Sequence, residues 1–455
     1  MDNTQPIGTE ARSRDRASKA SWRAVTASTI GSVLEYYDFF VYGTLSALVF
    51  GEVFFPSGDP ALSTLFALAS FTVGFIARPI GGIILGHFGD RVGRKKVLLF
   101  TFMLTGTVTV LIGFLPSYAQ IGVLAPILLV VLRILQGIGI GGEWGGAALL
   151  AVEHAPTNRR GFFGSLVQAG APVGVILSSL TVAVLTAVLS HAELVAWGWR
   201  IPFLASFILL IVGMILRSKV DETPEFEKIK TDKSAAKLPV WDAIRQYPKQ
   251  IIAAILIHTS DTTLGLIQGV FVLGYASGVL GMNPTVVLLA NVFSAVMNLI
   301  TTPIAGAWGD RVGQRRMLTI GLVGLGLWAF PMFWLIGTHS VLGLFVATGV
   351  SGILVGLLFS QQATLFADMF APRVRYSGMS IGFQVGTVIG GGFGPLIAQA
   401  LTQFSGGSTW TVSLYILVIA LLALLAVRMV TPRFGANAAY SPRPPVHSTA
   451  STVDA

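Results

Sequence analysis

Long runs of apolar residues alternate with short polar segments along this 455-residue chain. Each run reaches the roughly 20 residues that an α-helix needs to cross about 30 Å of hydrocarbon. The alternating strands of a membrane β-barrel do not occur, so helices must satisfy the backbone polar groups. The pattern predicts an all-α membrane protein with twelve transmembrane helices, at 24–50, 61–86, 97–116, 121–150, 161–189, 199–217, 251–279, 285–308, 317–337, 341–366, 376–402 and 409–430.

One long polar segment divides these helices into two groups of six. It contains "RSKVDETPEFEKIKTDKSAAKLPVWDAIRQYPKQ", whose mixed charge is too polar to cross a membrane. The C-terminal tail is rich in Pro, Ala and Ser, which predicts disorder. The predicted units are an N-terminal cytoplasmic segment (1–23), a first six-helix bundle (24–217), a cytoplasmic linker (218–250), a second six-helix bundle (251–430) and a disordered cytoplasmic tail (431–455).

Composition and charge placement support a membrane protein of defined orientation. Charged residues make up 11% of the chain, against about 25% in a soluble domain. Lys and Arg cluster in the segments on one side of the predicted helices, and Arg200 alone falls on the other side. The positive-inside rule therefore predicts a multi-pass protein of the cell (inner) membrane with both termini in the cytoplasm. The net charge of +9 reflects this topology and the lipid headgroups, so no nucleic-acid partner is expected.

The two groups of helices repeat one pattern. The stretch "GHFGDRVGRKK" at 86–96 returns as "GAWGDRVGQRR" at 306–316. The other matching positions keep nearly the same displacement along the chain: Glu153 with Asp368, Gln168 with Gln384, Glu35 with His258, and Asp38 with Asp261. A duplicated six-helix unit is typical of transporters whose substrate site lies between the two halves.

Three stretches carry a resemblance to a known family. They are "LEYYDFFVYG" at 34–43, "ARPIGGIILGHFGDRVGRKK" at 77–96 and "RILQGIGIGGEWGGA" at 133–147. Together they resemble the metabolite:proton symporter branch of the major facilitator superfamily, which includes permeases for shikimate, α-ketoglutarate, other organic acids, and proline or betaine. The resemblance implies the major facilitator fold, with two pseudo-symmetric six-helix bundles. It also implies that Asp90 and Arg94 make contacts that close the cytoplasmic side.

Ionisable residues at membrane depth are functional candidates because burying their charge is costly. Glu35 and Asp38 share one face of the first helix, and Arg133 lies at a similar depth in the fourth, with Gln136 on the same face. One interpretation is a structural ion pair between Arg133 and either carboxylate. The other is that Arg133 binds a carboxylate substrate while Asp38 or Glu35 carries the coupled proton. Both can hold at different steps of one cycle.

Further candidates lie on the remaining helices. His258 and Asp261 of the seventh helix are candidates for proton coupling, with a satisfied structural histidine as the alternative for His258. Glu143 is a proton relay, a gate residue or a structural residue. The predicted substrate-binding set is Arg133, Gln136, Tyr37, Gln168 and Gln384, and the predicted gating set is Asp90, Arg91, Arg94, Asp310, Arg311, Glu143, Glu153 and Asp368. No metal site is predicted, because no His, Asp and Glu set has ligand spacing.

These observations favour a secondary active transporter rather than an enzyme. The first hypothesis is a monomeric proton-coupled symporter that imports a small organic acid, shikimate-like or dicarboxylate-like, by alternating access. The alternative is a proton symporter for osmolytes such as proline or glycine betaine. A drug exporter and a non-transporting metabolite receptor are less favoured, because apolar drugs need no buried arginine and a receptor needs no duplicated gate. The proton is the coupling ion, and no other cofactor is expected.

The two copies of the charged turn are expected to contribute unequally to gating. The second copy has Gln314 where the first has Arg94, so it lacks one implied contact. Asp90→Asn should therefore reduce the initial rate of uptake more than Asp310→Asn, measured at equal amounts of membrane-inserted protein. Equal losses, or a larger loss for Asp310→Asn, would contradict an asymmetric gate.

Overall fold

The computed structural model describes residues 7–58, 60–218 and 239–430. Throughout these ranges the regular structure is helical, with short 3₁₀ and π-helical turns and no strand. The predicted disordered tail, most of the predicted linker and the first six residues lie outside the described part of the chain.

The first half contains six long helices joined by short connections. They are α1 (Ile7–Leu45, continued by the π-helical turn Ser46–Phe50 and by Gly51–Phe54), α2 (Pro60–Val92), α3 (Arg94–Gly113), α4 (Leu124–His154), α5 (Arg160–Gln168 and Gly170–Val188) and α6 (Arg200–Ser218). The helix α1 begins well before residue 24, where the apolar pattern starts. Its polar first turns continue the helix beyond the apolar stretch that the hydropathy pattern detects.

The second half follows a short helix, Pro239–Gln246, within the predicted linker. Its six helices are α7 (Pro248–Leu266, continued by Ile267–Phe271, Val272–Gly274 and Tyr275–Val279), α8 (Pro284–Val312), α9 (Gln314–Ile336), α10 (Val341–Met369), α11 (Arg375–Thr387, Val388–Gly392 and Gly394–Phe404) and α12 (Trp410–Met429). The segments Ile267–Phe271, Tyr275–Val279 and Val388–Gly392 are π-helical.

Helix packing follows the same plan in both halves. In the first half α1 packs on α5, α2 on α4, and α3 on α6. In the second half α7 packs on α11, α8 on α10, and α9 on α12. The predicted pair of pseudo-symmetric six-helix bundles is therefore confirmed.

The length and apolarity of the helices fit a membrane. Among the described residues, ten helices can each cross one, and a bent pair, His191–Gly198 with Arg200–Ile215, adds an eleventh at an angle of 46°. The helix α1, which carries the buried carboxylates Glu35 and Asp38, is the twelfth long helix and is not among these candidate spans. Many large apolar side chains, such as Phe100, Leu327 and Trp334, are more than half exposed on the outer surface. A broad exposed apolar surface is what a lipid-facing bundle requires.

The two charged turns that first revealed the repeat have the same backbone conformation. Gly93 separates α2 from α3 with φ 118°, and Gly313 separates α8 from α9 with φ 95°. Only glycine adopts such positive φ values without strain. Both turns lie at one end of the molecule, which we call the basic end, together with Arg91, Lys95, Lys96, Arg311, Arg315 and Arg316.

Glycines allow α2 and α4 to pack backbone against backbone. A Cβ atom at Gly137 would overlap the carbonyl oxygen of Gly74, and one at Gly141 would overlap the carbonyl oxygen of Arg78. Small residues at helix interfaces permit such close approach in membranes. The glycine-rich stretch of α4 is therefore used for helix packing, and it fixes the position of Arg78.

The substitution Gly141→Ala is expected to destabilise the protein by about 1–3 kcal/mol, because the new methyl group forces α2 away from α4. The matched control is Gly58→Ala, at a position where a Cβ atom meets nothing within 4 Å. Thermal unfolding of the two purified variants in detergent checks the prediction. A melting temperature of Gly141→Ala equal to that of Gly58→Ala would contradict this account of the packing.

Candidate functional site

A buried ion pair lies between the first two helices. Arg78 of α2 lies 3.5 Å from Glu35 of α1, measured from Nη1 to Oε1, and both side chains are buried. The guanidinium of Arg78 also lies 4.8 Å from the ring centre of Phe75 and 5.3 Å from that of Phe39. Cation–π contacts of this kind stabilise a desolvated guanidinium. Glu35 therefore pairs with Arg78, rather than with Arg133 as one interpretation of the sequence had it.

Asp38 and Arg133 are connected through two intervening side chains. Thr109 of α3 donates a hydrogen bond to Asp38 Oδ2, Gln136 Nε2 donates to Thr109 Oγ1 over 2.6 Å, and Arg133 Nη1 donates to Gln136 Oε1. The guanidinium of Arg133 lies 3.5 Å from the ring centre of Tyr42. Among the described residues, Asp38 Oδ1 and Arg133 Nε have no hydrogen-bond partner. Within the described residues, Arg133 therefore forms no direct ion pair with Asp38 or Glu35.

A second polar cluster lies in the other half, at the matching point of the repeat. His258 Nδ1 lies 2.9 Å from Gln362 Oε1 and 3.4 Å from Asp261 Oδ1, and Gln362 Nε2 donates to the same Asp261 oxygen over 2.6 Å. His258 Nε2 lies 2.9 Å from Thr387 Oγ1. The structure thus joins His258 and Asp261 through Gln362 of α10.

The two clusters meet at cavities between the halves. A narrow cavity of about 40 Å³, which we call the charged recess, is lined by Glu35, Tyr36, Phe39, Phe75, Arg78, His258, Thr262, Leu266 and Thr387. A larger cavity of about 110 Å³, the central cavity, shares Tyr36, Thr262 and Leu266 with it and includes Asp261. Arg133 and Gln136 line only a small void of about 10 Å³ beside Arg78. Arg78 therefore lines the charged recess between the halves, whereas Arg133 does not.

Three aromatic rings connect the halves beside the charged recess. Trp144 of α4 stacks on Phe383 of α11 with 3.6 Å between ring centres, and Phe383 stacks on His258 of α7 with 3.7 Å. Trp144 Nε1 also donates a hydrogen bond to Gln168 Oε1 over 2.9 Å. A movement of α4 relative to α11 must therefore disturb the surroundings of His258.

Two ion pairs cross between the halves at the basic end. Glu153, at the end of α4, lies 3.0 Å from Arg375, the first residue of α11. Asp368, at the end of α10, lies 2.8 Å from Arg160, the first residue of α5. The acids occupy matching positions of the repeat, and so do the arginines. The pairs are largely buried, so separating the halves would leave uncompensated charge at low dielectric.

Asp310 closes the same end by a different contact. Its Oδ1 accepts a hydrogen bond from the backbone N–H of Gly161 over 2.7 Å, and its Oδ2 accepts one from that of Phe162 over 2.9 Å. A carboxylate at a helix N-terminus pairs with free N–H groups and with the positive end of the helix dipole. Asp310, the carboxylate of the charged turn in the second half, thus binds the N-terminus of α5 in the first half.

The other predicted gate residues give fewer contacts. Arg91 is exposed, with Nη1 3.2 Å from His87 Nε2, and Arg311 is also exposed. Glu143 is buried in α4. The side chains of Asp90 and Arg94 lie outside the described part of the structure, so the predicted asymmetry of the gate stays a prediction.

The remaining predicted substrate residues lie in helix contacts rather than in the cavities. Tyr37 donates a hydrogen bond to the carbonyl of Pro202 over 3.0 Å, within the first half, whereas its neighbour Tyr36 lines both cavities. Gln168 donates to the carbonyl of Phe359 and Gln384 to that of Ile140, each across the halves. The glutamines therefore occupy matching places in the interface, because each lies on the helix face that meets the other half.

Three arginines of the site were not predicted as site residues. Arg78 lies well inside the apolar run 61–86, and a charge at that depth is enough to mark it as a candidate functional residue from the sequence. Arg160 and Arg375 lie at the ends of their helices, where the positive-inside rule alone accounts for them. The sequence contains no separate signal for their ion pairs with acids of the other half. Among the described residues, no group of three or more His, Asp or Glu side chains could hold a metal ion.

Comparisons with known proteins agree with this architecture. A family model described as "Sugar (and other) transporter" matches residues 24–251, and one described as "Major Facilitator Superfamily" matches residues 251–452. The chain is 40% identical to a shikimate transporter of Escherichia coli strain K12, over 87% of this chain and 91% of that protein. It is 31% identical to a proline/betaine transporter of the same organism, over 89% of this chain and 82% of that protein.

A solved structure shows the same fold. The proton:xylose symporter XylE, bound to 6-bromo-6-deoxy-D-glucose, matches with a TM-score of 0.69, covering 92% of this chain and 97% of that one. The two sequences are only 18% identical, so this likeness concerns the fold.

Neutralising one crossing ion pair is expected to open the basic end. The chain has no cysteine, so a single Ala363→Cys reports on this end, where Ala363 is buried beside Gly164. In that background, Asp368→Asn should raise the rate of maleimide labelling about tenfold. Loss of about 1.4 kcal/mol from the stability of the closed state shifts the open–closed equilibrium by that factor.

The matched control is Glu52→Gln, which removes the partner of His191 in an exposed pair. Exposed pairs contribute about 0–1 kcal/mol, so this variant should leave the labelling rate unchanged. A labelling rate for Asp368→Asn equal to that of the control would contradict the assignment of the gate.

Proposed function

The chain belongs to the major facilitator superfamily and is a multi-pass membrane transporter rather than an enzyme, and from that premise we propose that it imports a small organic acid together with a proton. The observation that carries the proposal is the Glu35–Arg78 pair, which lines the charged recess opposite His258 of the other half. A guanidinium in a water-poor site is a strong binding group for a carboxylate.

Coupling follows from competition for Arg78. When Glu35 is ionised, it occupies the guanidinium, and a substrate carboxylate would have to displace it. A proton on Glu35 removes that competitor and leaves Arg78 free for the substrate. Arg78 is then compensated either by ionised Glu35 or by the substrate carboxylate, and these are the two states in which the halves can rearrange without an unpaired buried charge. One monoanion carried with one proton makes the cycle electroneutral.

The second-half cluster completes this scheme. His258 lines the charged recess together with Glu35, Asp261 lines the central cavity, and Gln362 joins the two, so the second half offers a proton-accepting group in the same recess as Glu35. The network from Asp38 to Arg133 borders the small void beside Arg78. The alternative from the sequence, in which Asp38 carries the proton and Arg133 binds the substrate, therefore remains a second coupling scheme.

Alternating access uses the contacts at the basic end. By the positive-inside rule this end faces the cytoplasm of a cell whose inner membrane holds the protein. The described conformation has Glu153–Arg375, Arg160–Asp368 and the Asp310 cap in place, so this end is closed. Opening inward requires these contacts to break while the substrate and proton compensate the charges in the recess.

The substitution Glu35→Gln is expected to uncouple transport from the proton. It removes the titrating group but keeps a polar side chain beside Arg78, so exchange of labelled for unlabelled substrate should continue. Accumulation in proteoliposomes driven by an inward proton gradient should disappear. The assay uses a panel of labelled acids that includes shikimate and α-ketoglutarate, with proline and betaine for the osmolyte alternative.

Asp38→Asn in the same assay separates the two coupling schemes. Full accumulation by Glu35→Gln, with loss of accumulation by Asp38→Asn, would move the proton to Asp38 and overturn the Glu35 assignment. Failure of every acid in the panel to accumulate in the wild-type protein would overturn the proposed function.

A further inference from the structure

The walls of the central cavity differ in chemistry. The first half contributes an aromatic and apolar wall from α1 and α5, made of Tyr36, Phe40, Ala171, Pro172 and Val175. The second half contributes a wall from α7 and α8 that carries carboxamides, which we call the amide wall and define as Gln268, Asn291 and Asn298. Asp261 lies beside the amide wall on α7.

The amide wall has unused hydrogen-bonding groups. Gln268 has a relative exposure of 6%, yet it makes no hydrogen bond to any residue that the structure describes. The side chain of Asn291 likewise has no partner among those residues. Asn298 accepts a hydrogen bond from Thr302 through Oδ1 over 2.8 Å, which leaves its NH₂ group available. These carboxamides line the central cavity, so their free donors and acceptors are available there to a ligand or to water.

Local backbone structure directs Gln268 into this position. It lies in the π-helical turn Ile267–Phe271 of α7, and π-helical turns inside α-helices are frequent at functional sites. The following residue, Gly269, has no side chain to fill the space toward Asn291, whose Nδ2 would lie 3.7 Å from a Cβ atom there. The turn thus leaves an open space lined by two carboxamides.

We infer that the amide wall binds the hydroxyl groups of the substrate, so that the preferred substrate is a hydroxylated monocarboxylate. This inference rests on the proposed function, in which Arg78 holds the carboxylate. The charged recess and the central cavity adjoin at Tyr36 and Thr262, so one molecule can place its carboxylate in the first and its hydroxyls in the second. Carboxamides both donate to and accept from hydroxyls.

Other substrate chemistries fit the amide wall less well. The second carboxylate of a dicarboxylate would face Asp261 and be repelled by it. A quaternary ammonium group offers no hydrogen bond and would leave Gln268 and Asn291 unpaired. Sites built to hydrogen-bond a hydroxyl strongly reject an analogue that lacks it, because their own buried groups then stay unsatisfied.

The test compares two acids with the same ring and carboxylate. Shikimate carries hydroxyls, and cyclohex-1-ene-1-carboxylate carries none. In proteoliposomes with an inward proton gradient, the wild-type protein should transport shikimate with a KM at least about tenfold lower than that of the unhydroxylated acid. Gln268→Leu and Asn291→Leu should each raise the KM for shikimate about tenfold and change that for the unhydroxylated acid less than about twofold.

A matched control removes a carboxamide elsewhere. Gln403→Leu, at an exposed position near the end of α11, should leave both KM values unchanged. If the wild type takes up both acids equally well and neither amide-wall variant alters the ratio, the inference fails while the proposed function stands. If neither acid accumulates but betaine does, the proposed function fails as well. A tenfold rise in both KM values for Gln268→Leu would indicate general damage to the site and would also overturn the inference.

Discussion

A charge between membrane helices must be paired or hydrogen-bonded, and this requirement determines how the helices of this protein meet. Within the first half it brings Arg78 of α2 onto Glu35 of α1. Between the halves it brings Arg375 onto Glu153 and Arg160 onto Asp368. The same requirement makes the structure responsive. In the proposed cycle, a proton or a substrate anion changes which charges are compensated, and therefore which arrangement of the helices is stable.

The charged recess and the gate are mechanically connected through α4 and α11. Trp144 of α4 stacks on Phe383 of α11, which in turn stacks on His258. The same two helices carry Glu153 and Arg375 at the basic end. In the proposed cycle, separation of these helices breaks the Glu153–Arg375 pair and changes the surroundings of His258 at the same time. Events at the recess and closure at the basic end therefore belong to one conformational equilibrium, which is how a transporter avoids opening to both sides at once.

The sequence predicted the fold and the repeat because both depend on local patterns. Apolar length located the helices, and the repeated charged turn, now seen with a positive-φ glycine in each copy, located the two halves. The partners of individual charges were harder to predict, because they depend on which helices pack together. The interpretation that Arg133 pairs with Asp38 or Glu35 rested on their similar depth, whereas the structure places Arg78 beside Glu35. The neighbours Tyr36 and Tyr37 lie on different faces of α1. Tyr36 lines the cavities, whereas Tyr37 packs inside the first half.

The central claim is that a proton on Glu35 and a carboxylate on Arg78 cross the membrane together. Its most direct test is to measure the lumenal pH of proteoliposomes after adding substrate outside, with no gradient imposed. The account predicts that the lumen acidifies as the organic acid enters, with about one proton for each molecule of monoanion, and that the Glu35→Gln protein moves substrate without acidification. Net entry of substrate through the wild-type protein with no change in lumenal pH would contradict it.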